Sequence, residues 1–493
     1  MTADIQLLQC LRTTLTQVGE SDAPSVQEAL LGAADLVLNE LIHRQDRDFY
    51  LDHYQSGCEL AKEGLNLLGN DNANLSVSLP AQLPVDVSSE KIKQQSELLF
   101  KYLVEIVDRL PTSGEEQTAD YLERMTDWEV NLYARQVATA PQPAQEVMEN
   151  VVITRDRFEA YLKNKFPEWT NLSITSFTPI SGGFSKSTIL VDTQDDVNGE
   201  QSLVIRALQG THIIEHDAGN IINEYPVVKL AFDCGSPVAE PLWLEDDEKV
   251  FGVHFFVSRR AKGEILGTAA GATAPLTDAI VEDLISVLAK LHNINLADHQ
   301  KVVDNTILDK WYSLGSMQEN TREWIKYWRT QAEECGAVNS PLIERGLRWL
   351  EDNIEECMEK PVLVHGDYGL HNILIENEKV EALLDWEGTR AGDPAEELSW
   401  LLACLGGYLD ANKALKLYEK KADNRKISEF RLRYFQVFDC IKMPIVCIAS
   451  LKAFENQLDN IQFAILGLRF MHHNSRQLNE AIRLAEKAKD IGL

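Results

Sequence analysis

Residues 362–400 read VLVHGDYGLHNILIENEKVEALLDWEGTRAGDPAEELSW. An apolar run delivers His365, Gly366 and Asp367. After four intervening residues comes Asn372, and a second apolar run over 380–384 delivers Asp385. The amide and carboxylate oxygens of Asn372 and Asp385 are hard ligands that suit Mg²⁺ and its retained waters. Asp367 stands where a carboxylate could orient an attacking hydroxyl and accept its proton. A metal-bound phosphate chain beside a positioned hydroxyl is the arrangement that phosphoryl transfer needs, because that reaction relies on placement and charge neutralisation more than on covalent chemistry. An isolated H-x-D is common. The joint pattern H-x-D-x-x-x-x-N between two apolar strands, with an aspartate ending the second, is far more specific.

The same spacing matches the catalytic-loop and metal-loop pair of the kinase fold. HGD stands in place of HRD, DWE in place of DFG, and Gly392-Asp393-Pro394 leads into a helix of apolar and acidic residues. On these residues the segment resembles the aminoglycoside phosphotransferase/choline kinase superfamily of small-molecule kinases, and in particular the phosphotransferase domains related to those fused to some acyl-CoA dehydrogenases. The likeness takes in roughly residues 150–490. It implies a catalytic base at Asp367, metal ligands at Asn372 and Asp385, and ATP (or GTP) with Mg²⁺ as cofactors. The acceptor it implies is a hydroxyl of a small molecule: a hydroxylated metabolite, an amino alcohol or an aminoglycoside-like compound.

The other parts of such a site come in the expected order. Ser181, Gly182, Gly183, Phe184 and Ser185 lie between two strands, where a glycine-rich turn lets backbone N–H groups approach phosphates. The turn lacks G-K-[ST] and leads into a strand, so it is not a Walker loop, and a plain hairpin turn would read the same way. Arg206, in Leu203-Val204-Ile205-Arg206, offers a strand cation for the phosphates where protein kinases use lysine; arginine is bulkier and geometrically stricter. Its expected helical partner is Glu224, with Glu215 the weaker alternative, and Pro226 suits a first helical turn. Backbone groups at Phe256, Val257 and Ser258 are expected to read the nucleotide base at a hinge, although an ordinary buried strand reads identically. Gly263 marks the turn beyond.

The remaining candidates are weaker. His371 reads as structural. Glu387 reads as a metal-shell group or a turn cap. His472-His473 lacks further ligands and reads as helix surface. Trp324, Trp328, Trp349 and Tyr434 are candidates for an acceptor pocket, but aromatics at helical spacing usually form core.

The elements that must position these residues follow from periodicity. Residues 1–138 look all-helical: Leu99, Leu103, Ile106 and Leu110 recur at helical spacing. A proline-bearing stretch at 138–145 is the candidate linker. Strands are expected at 172–180, 187–192, 202–208 and 249–259, with a helix at 221–233 between them. From Pro275 helices dominate, interrupted by the motif strands. The expected fold class is therefore α+β: a two-lobed protein-kinase-like fold preceded by an all-helical N-terminal domain. The expected divisions are a helical domain 1–138, a linker 139–150, a small sheet-rich lobe 151–260 and a large helical lobe 261–493.

Composition narrows the setting. The chain has 493 residues, 44% of them hydrophobic and 25% charged, values of a globular protein with a sizeable core. No run of eighteen apolar residues is present, and the first ten residues lack a basic stretch followed by an apolar one. Eight cysteines without a C-x-x-C pair point to reduced thiols, and hence to a cytoplasmic protein. The net charge of −30 disfavours nucleic acid and anionic membrane as partners. Residues 1–150 hold 25 Asp and Glu against 10 Lys and Arg, half of the excess, far in sequence from the motif. That N-terminal helical domain is the candidate surface for a homodimer or a protein partner. A second functional class, a nucleotide-binding pseudokinase scaffold, is disfavoured by the joint presence of Asp367, Asn372 and Asp385. Arg206 in place of lysine argues weakly for it.

Overall fold

The computed structural model describes residues 46–69, 75–85, 87–112, 116–134, 153–180, 186–208, 220–268, 271–456 and 475–491, with residues 11, 34, 38, 466, 467 and 471 as isolated positions. The turn at 181–185, the stretch 138–145, Glu215 and His472-His473 lie outside the described residues.

Two compact units are present. One takes in Met1–Ala144, Arg322–Glu356 and Arg433–Leu493; the other takes in Gln145–Thr321 and Cys357–Leu432. The expected boundaries at 138, 150 and 260 followed chain order, whereas these units do not. The N-terminal helices share a unit with two later segments because amphipathic helices show an apolar face without naming what covers it.

In the first unit the helices Arg47–Leu68, Ser89–Arg109 and Glu116–Ala134 bury Tyr54, Ala61, Leu99, Leu103, Ile106, Tyr121 and Met125 in one core. Helix Pro341–Asp352 starts with Ser340 as N-cap and a proline at its first position, where the missing N–H costs nothing. Buried Glu129 accepts from Ser340 Oγ at 2.5 Å and from the Leu342 N–H at 2.8 Å. Arg345 donates to Leu122 O, Thr126 Oγ1 and Asn479 Oδ1, joining all three chain segments of the unit. Trp324, Trp328, Trp349 and Tyr434 are all buried core of this unit. Helix Glu429–Asn456 contains a stretch, Glu429–Ala453, long and apolar enough to cross a membrane, and most of it is buried.

The second unit opens with helix α1 (Arg155–Lys165) and a five-stranded antiparallel sheet. Its strands are β1 (Ser173–Ile180), β2 (Lys186–Asp195), β3 (Gly199–Leu208), β4 (Pro241–Glu245) and β5 (Phe255–Arg259), in the order β1-β2-β3-β5-β4. Alternating side chains of β2 and β3 put Ile189, Val191, Leu203 and Ile205 into a core with Phe158 and Leu162 of α1. The β2–β3 turn is held by Asp195, whose carboxylate accepts the N–H groups of Val197 and Asn198 at 2.8 and 2.7 Å.

Helix α2 (Ile221–Asp233) follows β3, with Asn220 capping through Ile222 N at 3.1 Å. Pro226 therefore lies inside the helix, beyond the first turn expected for it. The strand expected over 249–259 is shorter. Asp247 caps a short helix, Glu248–Phe251, that Gly252 ends at φ 85°, and β5 begins only at Phe255.

The motif strands are β6 (Val362–Val364), β7 (Ile373–Glu376), β8 (Lys379–Leu383) and β9 (Arg390–Gly392); helix α3 (Asp278–His292) packs beside β6 and β8, and helix α4 (Pro394–Cys404) follows β9. β7 and β8 form a hairpin, and β6 pairs antiparallel with β9. The short strand Glu264–Ile265 pairs with β7, and Gly263 at φ 101° lets the chain turn there; a Cβ would stand 2.7 Å from Ile375 O.

Candidate active site

The apolar ends of β6 and β8 bring the motif residues together. His365 donates from Nε2 to Leu384 O at 2.9 Å and accepts the Asp367 N–H on Nδ1 at 3.3 Å. That pair of contacts matches one neutral tautomer and ties the loop after β6 to the end of β8. A further tie runs from Leu384 N to Asn372 O at 2.8 Å. Gly366 adopts φ 87°, and a Cβ there would meet Gly388 O at 2.0 Å, so no other residue fits the turn.

Beneath the loop, Glu397 of α4 accepts the Gly366 N–H at 2.8 Å on one oxygen and contacts His292 Nε2 at 2.9 Å on the other; His292 Nδ1 lies 2.7 Å from Tyr418 Oη. Burial works to raise the Glu397 pKa, but the His292 contact overrides it and holds the carboxyl below its ordinary value. A buried carboxylate thus fixes the backbone beside Asp367.

Asp367 itself is partly exposed and surrounded by donors. Trp400 Nε1 donates to Oδ1 at 2.7 Å, Asn372 Nδ2 donates to Oδ2 at 2.9 Å, and His371 Nε2 stands 3.0 Å from Oδ2. Burial alone would lower the His371 pKa, but the adjoining Asp367 carboxylate raises it to about 10. Gly369 makes room for that ring: a Cβ at 369 would lie 2.5 Å from His371 Cε1. Asn372 spends its amide nitrogen on Asp367, so its carbonyl oxygen is the atom with ligand chemistry for a hard cation.

Asp385 follows β8 in the left-handed region, φ 63° and ψ 72°, which aspartate tolerates better than most residues. Arg206 Nη2 pairs with Asp385 Oδ1, and Arg206 Nε lies 3.2 Å from Glu224 Oε1 of α2. Burial acts against the guanidinium charge, but Asp385 and Glu224 outweigh it and raise the Arg206 pKa. Glu224 also pairs with Lys186 Nζ, which stands 3.4 Å from Glu387 Oε2.

The structure therefore joins Asp367, Asn372, Asp385, Arg206 and Glu224 in one unit, as the sequence order implied. It does not place Phe256, Val257 and Ser258 as base readers. β5 is paired on one edge by β3 and on the other by β4, so the backbone of those residues is engaged within the sheet. The last ladder contact is Arg260 N to Ser202 O at 2.9 Å, and a strand end free of the ladder comes only after it.

Sequence reasoning missed Lys186, Trp400 and Glu397. For Lys186 a signal existed: a lysine at the head of a strand that alternates apolar residues. Trp400 and Glu397 meet the loop only through the packing of α4. Among the described residues no cluster of three His, Cys, Asp or Glu side chains forms a metal cage. The oxygen donors Asn372 and Asp385 fit a Mg²⁺ that keeps waters and leans on substrate phosphates.

Residues 176–420 match the family described as the phosphotransferase enzyme family. The mouse (Mus musculus) acyl-CoA dehydrogenase family member 11 is 27% identical over 250 residues, which is 49% of this chain and 30% of that protein. Mouse member 10 is 25% identical over 306 residues, 61% of this chain and 26% of that protein. The chain thus spans under a third of the length of these curated relatives. A crystal structure from Ralstonia eutropha, assigned provisionally to the aminoglycoside phosphotransferases, superposes with a TM-score of 0.50 at 20% identity, covering 68% of this chain and 98% of that one. That likeness concerns the fold. The motif residues lie inside the matched stretch, and residues 176–420 of this chain form a domain of the phosphotransferase enzyme family.

Proposed function

We propose that the chain moves the γ-phosphoryl group of ATP, with GTP as the alternative donor, to a hydroxyl of a small molecule. The observation that carries this reading is the Asp367 carboxylate, held by Trp400 and Asn372 with His371 against it on a loop anchored by Glu397. So held, it can orient an incoming hydroxyl and receive its proton as the new oxygen–phosphorus bond forms and the bond to the bridging oxygen of the donor breaks. Asn372 and Asp385 would hold Mg²⁺, which when bound supplies charge neutralisation on the phosphates. Arg206 steadies the phosphate chain, Glu224 holds Arg206, and the turn at Gly182 and Gly183 offers backbone N–H groups. The base edge falls to the segment just after Arg260, where the chain leaves the ladder.

The relatives' pairing of such a domain with an acyl-CoA dehydrogenase favours a hydroxylated metabolite as acceptor. The N-terminal helices are read as a surface for a homodimer or protein partner, in a cytoplasmic protein that contacts neither nucleic acid nor membrane. The test is a panel of hydroxylated small molecules incubated with purified chain, Mg²⁺ and radiolabelled ATP or GTP. Label should reach at least one acceptor, and Asp367→Ala should abolish the transfer. Transfer that persists in that variant would sink the assignment.

A second reading, nucleotide binding without turnover, is favoured by the Arg206–Asp385 pair, which engages the carboxylate a metal would need. Binding of Mg–ADP with no transfer across the panel would support it.

A further inference from the structure

Glu224 is 1% exposed and faces two cations. Lys186 and Arg206 are diagonal neighbours on one face of the β2–β3 ladder, because Lys186 lies opposite Leu208 and Thr188 opposite Arg206. Lys186 is 2% exposed and pairs with Glu224 through Nζ. Arg206 is 18% exposed and divides its fork. Its Nη2 is on Asp385, while its Nε stands 3.2 Å from Glu224 Oε1 in an ion pair that lacks hydrogen-bond geometry.

A carboxylate this buried must be compensated by a cation. The ammonium of Lys186, a compact point charge, does so from the closed side. The guanidinium of Arg206 is the group whose planar fork suits phosphate oxygens, and it is turned to the more open side, where Asp385 lies.

We infer that Lys186 is a positioning residue: by taking up one oxygen of Glu224 it limits Arg206 to a contact through Nε on the other oxygen, and leaves the terminal nitrogens of the arginine on the Asp385 side for the nucleotide phosphates. This rests on the nucleotide reading above. It divides between two side chains a task given to one strand cation in the sequence-based expectation.

Isothermal titration of the full chain with Mg–ADP tests it, with thermal unfolding as the check on folding. Lys186→Met frees the second oxygen of Glu224 to draw the terminal nitrogens of Arg206 onto it, and should weaken Mg–ADP binding by about tenfold or more, the worth of a hydrogen bond to a charged group. The double variant Lys186→Met/Glu224→Gln removes the competing charge and should bind within about threefold of the unsubstituted chain, a difference below that of one charged hydrogen bond. If the single variant fails to fold, the double variant alone decides by the same comparison. Binding by the double variant as weak as that of Lys186→Met, or undiminished binding by the single variant, would overturn the inference. If the unsubstituted chain does not bind Mg–ADP, the nucleotide reading falls and the inference with it.

Discussion

The imidazole of His371 rests on the carboxylate of Asp367, Nε2 to Oδ2 at 3.0 Å, and it reaches that position because residue 369 has no side chain. Gly369 and His371 therefore work as a pair. The loop reserves space for a ring that braces the group expected to meet the acceptor hydroxyl.

Gly369→Ala should disturb that brace without straining the backbone, since the clash is with a movable ring. The expected result is a fall in kcat of about tenfold or more with KM for nucleotide nearly unchanged, because an interaction felt mainly in the transition state is lost. His371→Ala should give a similar split. Steady-state kinetics of both variants check this; an effect on KM alone would count against a brace on Asp367.

Asp367→Asn keeps the size of the side chain and removes its charge. Turnover should drop by about 10²–10⁴-fold, the usual worth of a general base. Mg–ADP affinity and the unfolding midpoint should change little, and a parallel loss of all three would mean that the substitution acts through folding.

Glu129 offers a stability test in the other unit. Replacement by alanine strands the Leu342 N–H and the Ser340 hydroxyl at the start of helix Pro341–Asp352, with an expected cost of about 1–3 kcal/mol. Glu129→Gln keeps an acceptor oxygen and should cost less. Denaturant midpoints of the two variants should keep that order.

His53 sets a pH dependence. Burial holds its imidazole below the ordinary 6.5 despite the backbone contact with Trp128. The ring stacks on Trp128 at 4.2 Å between centroids and makes a contact of 2.9 Å from Nε2 to Trp128 O. Its pKa is depressed on folding, so between the two values the unfolded chain binds the extra proton. The stabilising contribution is complete above about pH 6.5 and fades as pH falls through that value toward the folded pKa. Unfolding free energy measured between about pH 5 and 8 should slope less steeply in His53→Gln than in the unsubstituted chain. Equal slopes would show that His53 is not the titrating group.

How far the site could be read in the sequence depends on how local each contact is. His365, Asp367, Asn372 and Asp385 were legible because two short strands and one loop set their spacing. Glu224 was legible through the order of strand cation and helix. Trp400 was not, because its indole reaches Asp367 only after α4 folds back over the loop, 33 residues along the chain. Lys186 was hidden by the expectation of a single strand cation. The fold was legible where periodicity was strong, as in β3 and α2. It was misread over residues 249–254, where an Asp cap and a glycine stop make a helical turn inside an apolar run. The two-unit division was the least legible, since amphipathic helices far apart in sequence carry no mark of their partners.

That division has a consequence for how the protein is made. Asn479 donates to Glu123 O at 3.1 Å and Arg483 pairs with Glu123 at 2.7 Å, so helix Glu116–Ala134 meets a partner translated about 350 residues later. At ribosomal speeds of about 5–20 residues per second, the early helices wait tens of seconds for the segments that pack against them. During that interval their apolar faces are open to chaperones or to other nascent chains. A cut near residue 140 would part helix Glu116–Ala134 from the contacts that Asn479 and Arg483 bring to Glu123.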